Sequence, residues 1–186
     1  ECTDDLNRVC ADLENAAADP AIVLSNISDD AVFFETKKDY AKEMVTGFIK
    51  LNGTTVGAVA NRTVVYDEEG NKAEEFAAEL TARGCLKAAE FVNFCDAFNF
   101  PVLTLTNVNG FKATMCSERN IAAAAAKLTY AFGNATVPKV NVITGKAFGN
   151  AYNVMNSKAI GCDMVYAWPK AEIGMIELEE EETDVE

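Results

Sequence analysis

The sequence of 186 residues contains no histidine, and this absence excludes several kinds of functional site. Ser–His and Cys–His nucleophilic sites use imidazole as the base, and most zinc sites use it as a ligand. The six cysteines form no C-x-x-C pair, and Cys85 and Cys95 lie among apolar residues of a predicted helix. We therefore predict no metal site, and we expect buried free thiols in a protein of the reducing cytoplasm.

Long apolar runs and an excess of positive charge are also missing. No stretch approaches the ~20 apolar residues of a membrane span, and the acidic residues 1–18 do not resemble a signal peptide. The net charge of −13 gives no basic surface for nucleic acid. Many of the acids lie in residues 177–186, which we predict to be a disordered tail. Because the chain also lacks an initiator Met, we expect it to be a fragment.

What is present indicates one globular domain, since apolar residues make up 49% and charged residues 24% of the chain. The strongest local signal is a β-hairpin. Asn52-Gly53 lies between two apolar strand patterns, and both residues tolerate the positive φ that a type I′ turn needs. The elements predicted before residue 81 are a helix over 3–18 followed by Pro20, a linker over 20–40, hairpin strands over 44–51 and 56–60, and an acidic, helix-prone segment over 67–80.

From residue 83 onward, helices and strands alternate. A helix over 83–98 shows one apolar stripe with Cys85 and Cys95 and a second stripe of Phe residues, so burial on more than one side is expected. Such alternation favours parallel strands with crossover helices; stacked β-β-α units fit it, and a doubly wound sheet remains an alternative. The later predicted elements are a strand over 101–106, a helix from Ser117 to Gly133, a strand over 137–144, a tight turn over 145–149, a helix over 150–158 and a strand over 162–168.

Two turns could present backbone donors to a ligand. Residues 145–149 precede a helix, whose first amides lack intrahelical partners and can hold an anion at the positive end of the dipole. Residues 107–111 follow a strand at its carboxyl end, where the ligands of α/β sheets gather. On pattern alone, a packing role for Gly149 and an ordinary turn at 107–111 are the more common alternatives. Neither site contains an acid–base pair, which agrees with chemistry that relies on backbone donors and a cofactor.

Five segments follow the patterns of one protein family. They are GCLKAAEFVNFCDAFNFP at 84–101, NVNGF at 107–111, AKLTYAF with ATVPKV at 126–140, GKAFGNAY at 145–152 and YAWPKAEI at 166–173. In this order and spacing, over roughly residues 40–176, they resemble biotin-dependent acyl-CoA carboxyltransferases. That family includes propionyl-CoA and acetyl-CoA carboxylase subunits and the methylmalonyl-CoA and glutaconyl-CoA decarboxylases.

The resemblance implies an α/β fold of the crotonase/ClpP-like type, which is a spiral of β-β-α units. Family members have an amino-terminal half that binds acyl-CoA and a carboxy-terminal half that binds biotin, and this chain resembles only the second. The implied organisation is an amino-terminal helix and linker over 1–40, a carboxybiotin-binding domain over 41–176 and the acidic tail over 177–186.

The resemblance also implies which residues form the site. The backbone amides of Asn150 and Ala151 correspond to the catalytic pair that stabilises the biotin ureido oxyanion after carboxyl transfer. Asn153 corresponds to a residue that lines the acyl pocket and influences substrate size. Biotin contacts are implied at Gly149, Gly110, Phe111 and Tyr152.

The implied activity is carboxyl transfer between carboxybiotin and a short acyl-CoA, in the carboxylase or the decarboxylase direction. The implied partners are a biotin carboxyl carrier protein, the acyl-CoA-binding amino-terminal half, a biotin carboxylase or membrane decarboxylase subunit, and further copies in a homo-oligomer. One alternative is an inactive isolated domain that only docks biotin or its carrier protein. Another is a crotonase-type acyl-CoA hydratase or thioesterase.

The chain departs from the family pattern at several positions. Asn150 replaces a glycine, and Asn107 and Asn109 replace the aspartate and proline of D-V-P-G-F. A Gln-Glu pair that usually follows that motif is not clear over 112–119, and residues 174–186 leave the pattern. The glycine replacement is compatible with a backbone donor, but it adds a side chain near the expected biotin.

Overall fold

The computed structural model describes residues 4–67, 69–112 and 115–176, and the side chains in these ranges except at 115–118. The tail predicted over 177–186 lies outside the described residues, as do the side chains at 113–118 in the segment of the expected Gln-Glu pair. The helices are α1 (Pro20–Ile27), α2 (Ala82–Ala97), α3 (Met115–Asn134) and α4 (Gly149–Val154), with 3₁₀ turns at Asp29–Ala31 and Lys158–Ile160. The strands are β1 (Phe34–Thr36), β2 (Met44–Leu51), β3 (Thr54–Asn61), β4 (Val64–Tyr66), β5 (Lys72–Glu75), β6 (Glu79–Leu80), β7 (Val102–Val108), β8 (Gly110–Phe111), β9 (Lys139–Phe148), β10 (Met164–Ala167) and β11 (Glu172–Gly174).

One sheet organises the chain. Its strand order is β1-β2-β3-β7-β9-β10, and β11 joins it by pairing with the later part of β9. The pairs β1–β2 and β2–β3 are antiparallel, whereas β3, β7, β9 and β10 run parallel. β4 pairs with β5 and β6 pairs with β8 outside this sheet. The predicted combination of a hairpin with parallel strands and crossover helices is confirmed.

The hairpin is confirmed at its turn. Asn52 and Gly53, which join β2 to β3, have φ angles of 51° and 77°. The Asp29 carboxylate accepts hydrogen bonds from the backbone amides of both residues, at 3.0 and 2.7 Å. The segment before the hairpin is therefore tied to the hairpin tip by a charged acceptor.

The helix predicted over 3–18 is wrong within the described residues, because residues 4–19 form turns and no helix. Short polar side chains compete there for backbone donors, as when the Asp5 carboxylate accepts from the amide of Asn7 at 2.9 Å. Pro20 begins α1 instead of following a helix, since its fixed φ suits the first helical position. The expected linker thus contributes α1 and β1 to the same body; a domain boundary at residue 40 stays a prediction.

The acidic segment 67–80 is not helical but contributes the strands β5 and β6. Asp67 explains the difference, because its carboxylate accepts from the amides of Glu69 and Asn71 at 3.0 and 2.8 Å. These bonds form a turn that includes Gly70, whose φ is 82°. The chain then returns along β4 as an antiparallel strand. A side-chain-stabilised turn therefore overrides the helical composition of the segment.

Helices cover both faces of the sheet. α2 and α3 pack against one face and α1 packs against the other. Along β2, Met44 enters the α2-side cluster and Val45 the α1-side cluster, because successive strand residues point to opposite faces. The stripe that was predicted to be buried on α2 is confirmed at Cys85, Ala88, Val92 and Cys95.

The second stripe on α2 is buried only in part. Phe91 is buried, whereas Phe94 and Phe98 are 45% and 59% exposed. The exposed rings instead form an aromatic group with Phe48 and Phe100, in which the centroids of Phe94 and Phe98 lie 4.5 Å apart. The expectation of burial on more than one side is therefore wrong for the carboxyl-terminal half of this helix.

The elements after residue 133 are close to their predicted positions but differ in length. The helix expected over 150–158 is α4 followed by a separate 3₁₀ turn, because Asn156 between them has a φ of 54°. A left-handed residue interrupts the α-helical path. The strand expected over 162–168 is shorter, and β11 follows it as a strand that the sequence did not indicate.

Candidate functional site

The strand β9 leads directly into α4, and the tight turn predicted over 145–149 is wrong. β9 continues through Gly145, with a register shift against β7 between Thr106 and Val108. Its outer edge pairs first with β10 and then, from Lys146 onward, with β11. Asn107 holds the shifted segment, since its Oδ1 accepts from the amide of Lys146 at 2.9 Å. The chain therefore reaches α4 as an extended strand supported on both edges.

Gly145 is required by this arrangement. A Cβ atom at that position would lie 2.6 Å from Oδ1 of Asn107, which is closer than van der Waals contact allows. Asn107 is also fixed through its own backbone, because its N–H donates to Oδ1 of Asn61 at 3.1 Å. The glycine therefore admits the side chain that holds β9 in place.

α4 begins without a side-chain cap. Gly149 opens the helix with a φ of 53°, and the preceding Phe148 makes no side-chain hydrogen bond to the first turn. Ala151 is 1% exposed, whereas Asn150 is exposed and its Oδ1 accepts from Nδ2 of Asn153 at 3.4 Å. The first turn thus combines amides at the positive end of the dipole with small residues.

β8 lies beside α4 and brings the other predicted residues to the same part of the molecule. Phe111 and Tyr152 both pack against the α2-side core cluster, and burial raises the pKa of Tyr152. No described atom lies within 4 Å of the place where a Cβ of Gly110 would be. The seven residues predicted for the site therefore lie on two neighbouring elements, and their roles stay predictions.

The carboxyl-terminal end of α4 rests on a buried polar group that the sequence did not indicate. We call it the polar floor, and it consists of Thr104, Thr106, Asn141 and Asn156. The Thr106 hydroxyl donates to Oδ1 of Asn141 at 2.7 Å, and Nδ2 of Asn141 donates to the carbonyl of Met155 at 3.1 Å. Nδ2 of Asn156 donates to the Thr104 hydroxyl at 3.0 Å. The alternation Thr104-Leu105-Thr106 within an apolar strand is the one sequence signal that could have revealed it.

The carboxyl transferase domain family matches residues 2–181, which is nearly the whole chain. The chain belongs to the carboxyl transferase family. A propionyl-CoA carboxylase beta chain from Cereibacter sphaeroides is 45% identical over 174 residues, covering 93% of this chain and 32% of that protein. The mitochondrial propionyl-CoA carboxylase beta chain of Homo sapiens is 40% identical over 190 residues, again with 32% of its length covered. This carboxyl transferase domain thus spans about a third of the curated relatives it matches.

Solved structures agree with this family. A structure of transcarboxylase 12S, described as a hexamer with hydrolysed methylmalonyl-coenzyme A bound, superimposes with a TM-score of 0.76. It is 41% identical, and the match covers 85% of this chain and 29% of that one. The geranyl-CoA carboxylase beta subunit of P. aeruginosa gives a TM-score of 0.74 at 25% identity. The predicted crotonase-like α/β fold is therefore confirmed.

Away from α4, this carboxyl transferase domain contains one buried ion-pair group among the described residues. Arg62 is buried between two carboxylates, with Nε 2.9 Å from Asp19 and Nη1 3.0 Å from Glu35. Within the described ranges, no group of three or more Cys, Asp or Glu side chains is arranged to hold a metal ion. Every helix in the same ranges is too short or too polar to cross a membrane.

Proposed function

We propose that this chain is the biotin-binding half of a carboxyltransferase that moves CO2 between carboxybiotin and a short acyl-CoA. The observation that carries the proposal is the pair of uncapped amides at Asn150 and Ala151, in a chain of the carboxyl transferase family. The named relatives are propionyl-CoA carboxylase beta chains, which favours a short acyl-CoA as the second substrate. The direction of transfer can be that of a carboxylase or of a decarboxylase.

The residues present fit biotin. Gly149, Ala151 and Gly110 carry little or no side chain in the region where α4 lies beside β8. Asn150 adds a side chain, but its side-chain Oδ1 accepts a hydrogen bond from Nδ2 of Asn153 along the helix. A neutral ligand with one oxygen that can carry negative charge suits such a cradle of backbone donors.

Each residue has a defined task in this proposal. The amides of Asn150 and Ala151 donate to an oxygen that becomes negatively charged, and they need no reorganisation because the helix already aligns them. Gly149, Gly110, Phe111 and Tyr152 form the walls around the bound group. Carboxybiotin, when bound, supplies a carboxyl group that can leave as CO2. Asn153, which is exposed one turn after Asn150, faces the acyl-CoA side and limits substrate size.

The second substrate requires further protein. The chain spans about a third of its relatives, so the acyl-CoA-binding half would come from the rest of a longer protein or from another subunit. The transcarboxylase 12S relative is a hexamer, which supports a homo-oligomer in the parent enzyme. The remaining proposed partners are a biotin carboxyl carrier protein and either a biotin carboxylase or a membrane decarboxylase subunit.

A second candidate is a binding module that docks biotin or its carrier protein and catalyses nothing by itself. The limited coverage of the relatives favours this alternative for the chain alone. Supplying the acyl-CoA-binding half of a relative separates the two candidates. Carboxyl transfer that appears only in the mixture supports the carboxyltransferase, whereas continued inactivity despite biotin binding supports the module.

Isothermal titration of the chain with biotin, and separately with propionyl-CoA, tests the proposed site. We expect biotin to bind, and Ala151→Val to weaken this binding because the buried alanine leaves no room for two more methyl groups. Ala159→Val is the matched control, since Ala159 is exposed on the 3₁₀ turn after α4. Binding of propionyl-CoA without any response to biotin would contradict the proposal and favour an acyl-CoA hydratase or thioesterase.

A further inference from the structure

We infer that Asn141 is a positioning residue that sets the place of α4, and through it the places of the Asn150 and Ala151 amides. This inference rests on the proposed function, because it gives the polar floor a purpose in holding the biotin site. Asn141 lies on β9 and touches neither of these amides. It acts through the carbonyl of Met155, which caps the carboxyl-terminal end of α4.

α4 cannot determine its own position. It has six residues, and helices of this length are unstable without tertiary contacts. The residue before it provides no side-chain cap. Tertiary contacts must therefore place the amides, and these contacts include hydrogen bonds near the two ends of the helix, where β9 enters and where Met155 leaves.

The entry of α4 is held by Asn107, whose Oδ1 binds the amide of Lys146 three residues before the helix. The exit is held by Asn141, which is fully buried. Its Oδ1 accepts from the Thr106 hydroxyl on β7, and its Nδ2 donates to Met155. Since both ends of the side-chain amide are engaged, its orientation is fixed, and the bond to Met155 sets the height of α4 above the sheet.

A second contact acts on the same end of the helix. The Ser157 hydroxyl donates to the carbonyl of Asn153 at 2.8 Å, and Asn156 is bound to the Thr104 hydroxyl. From Met155 back to Ala151 is about one helical turn, or roughly 6 Å. A shift of about 1 Å can impair a catalytic site. The hydrogen bond from Asn141 to Met155 is therefore close enough to Ala151 to affect the position of its amide.

Stability alone does not explain the polar floor. Oδ1 of Asn156 is buried and has no hydrogen-bond partner among the described residues, and an unsatisfied buried acceptor lowers stability. Apolar side chains like those that pack against α2 would avoid the cost of the unsatisfied acceptor. Hydrogen bonds differ from apolar contacts in fixing distance and direction, which is the property that a pair of aligned donors requires.

The variant Asn141→Leu tests the inference, because it keeps the branched side-chain shape, with some added volume, and removes both hydrogen bonds. Thr106→Val is a milder variant that removes only the hydroxyl donor to Asn141. Thr46→Val is the matched control; Thr46 is a buried threonine on β2 that bonds to Thr36 on β1, away from α4. Amide hydrogen exchange across residues 149–155 and the affinity for biotin are measured for each variant and for the parent chain.

We expect exchange in α4 to become faster in both test variants. Biotin affinity should fall by about tenfold in Asn141→Leu, as for the loss of the one buried hydrogen bond that reaches the end of α4. Thr46→Val should lower the thermal midpoint while leaving both readouts unchanged. Equal effects of control and test variants, or unchanged α4 exchange and affinity in the test variants, would overturn the inference. If the parent chain does not bind biotin, the proposed function fails, and the exchange data still decide whether Asn141 positions α4.

Discussion

Two helical regions on the same face of the sheet are held in different ways. α2 has sixteen residues and packs on apolar side chains, and the Thr81 hydroxyl caps it by accepting from the amide of Gly84 at 2.9 Å. α4 has six residues, no side-chain cap and the polar floor. Apolar burial is non-directional, whereas hydrogen bonds fix distance and angle. The comparison indicates that α2 provides stability and that α4 is placed accurately at a cost in stability.

The largest loss of stability should come from a change in the α2-side core cluster, which contains buried residues of α2 and α3. Leu128 on α3 is fully buried in the cluster that α2 shares. Leu128→Ala removes apolar burial and leaves a cavity, so the free energy of unfolding should fall by about 2–5 kcal/mol. Urea denaturation followed by circular dichroism measures this loss. A fall of less than about 1 kcal/mol would show that the α2-side core cluster is not the main source of stability.

Two substitutions on one strand, β7, should each lower the free energy of unfolding by less than Leu128→Ala, and for opposite reasons. Val102 and Thr104 lie two residues apart on β7 and face the same side, one within the α2-side cluster and one in the polar floor. Val102→Thr buries a hydroxyl among apolar groups, and Thr104→Val removes the acceptor for Asn156. Each change keeps the side-chain shape, and each should cost about 1–3 kcal/mol.

Chemical denaturation of the two variants measures both costs. The double variant is informative because the two sites have different partners, so the costs should nearly add. If Thr104→Val stabilised the chain, apolar packing could replace the polar floor. The proposed difference between α2, held by apolar packing, and α4, held by hydrogen bonds, would then be wrong.

The smallest expected change in stability is a pH dependence that comes from Lys87, the buried charged residue on α2. Lys87 is 2% exposed, its Nζ donates to the carbonyl of Tyr40 at 2.7 Å, and burial lowers its pKa from 10.5 to about 8. Between these two pKa values the unfolded chain holds the proton and the folded chain does not, so this residue's contribution to stability rises with pH. From pH 8 to pH 9 the rise should be about 1 kcal/mol.

Urea denaturation at the two pH values measures this slope in the parent chain and in Lys87→Met. The variant should lack the rise, because it has no proton to lose at this position. An identical slope in both proteins would assign the pH dependence to other groups.

The elements that sequence patterns predicted correctly are those fixed by local signals. The hairpin depends on two residues that accept positive φ, and the buried stripe of α2 depends on its own periodicity. The errors arose where one side chain redirects the backbone. Asp5 and Asp67 each hold nearby amides in turns, and their acidic segments were read as helical.

The candidate site was predicted in its sequence position but not in its support. The start of α4 was predicted to within one residue from the local pattern, and the seven site residues follow from the family resemblance; the structure places these residues on α4 and β8. The continuation of β9 through Gly145 depends on Asn107, which is distant in sequence, and on β11. The polar floor depends on two strands, β7 and β9, and the turn after α4 meeting in space, and no single segment encodes such a meeting.

The two-residue turn between β2 and β3 has a consequence for the order in which the chain folds. Closing a loop as short as Asn52-Gly53 costs little chain entropy, whereas pairing β3 with β7 must first bring in the whole segment from Arg62 to Pro101. Parallel pairs of this kind form slowly because their contacts are far apart in sequence. We therefore expect the hairpin to gain exchange protection first during refolding, and the β7–β9 pair that supports α4 to gain it last.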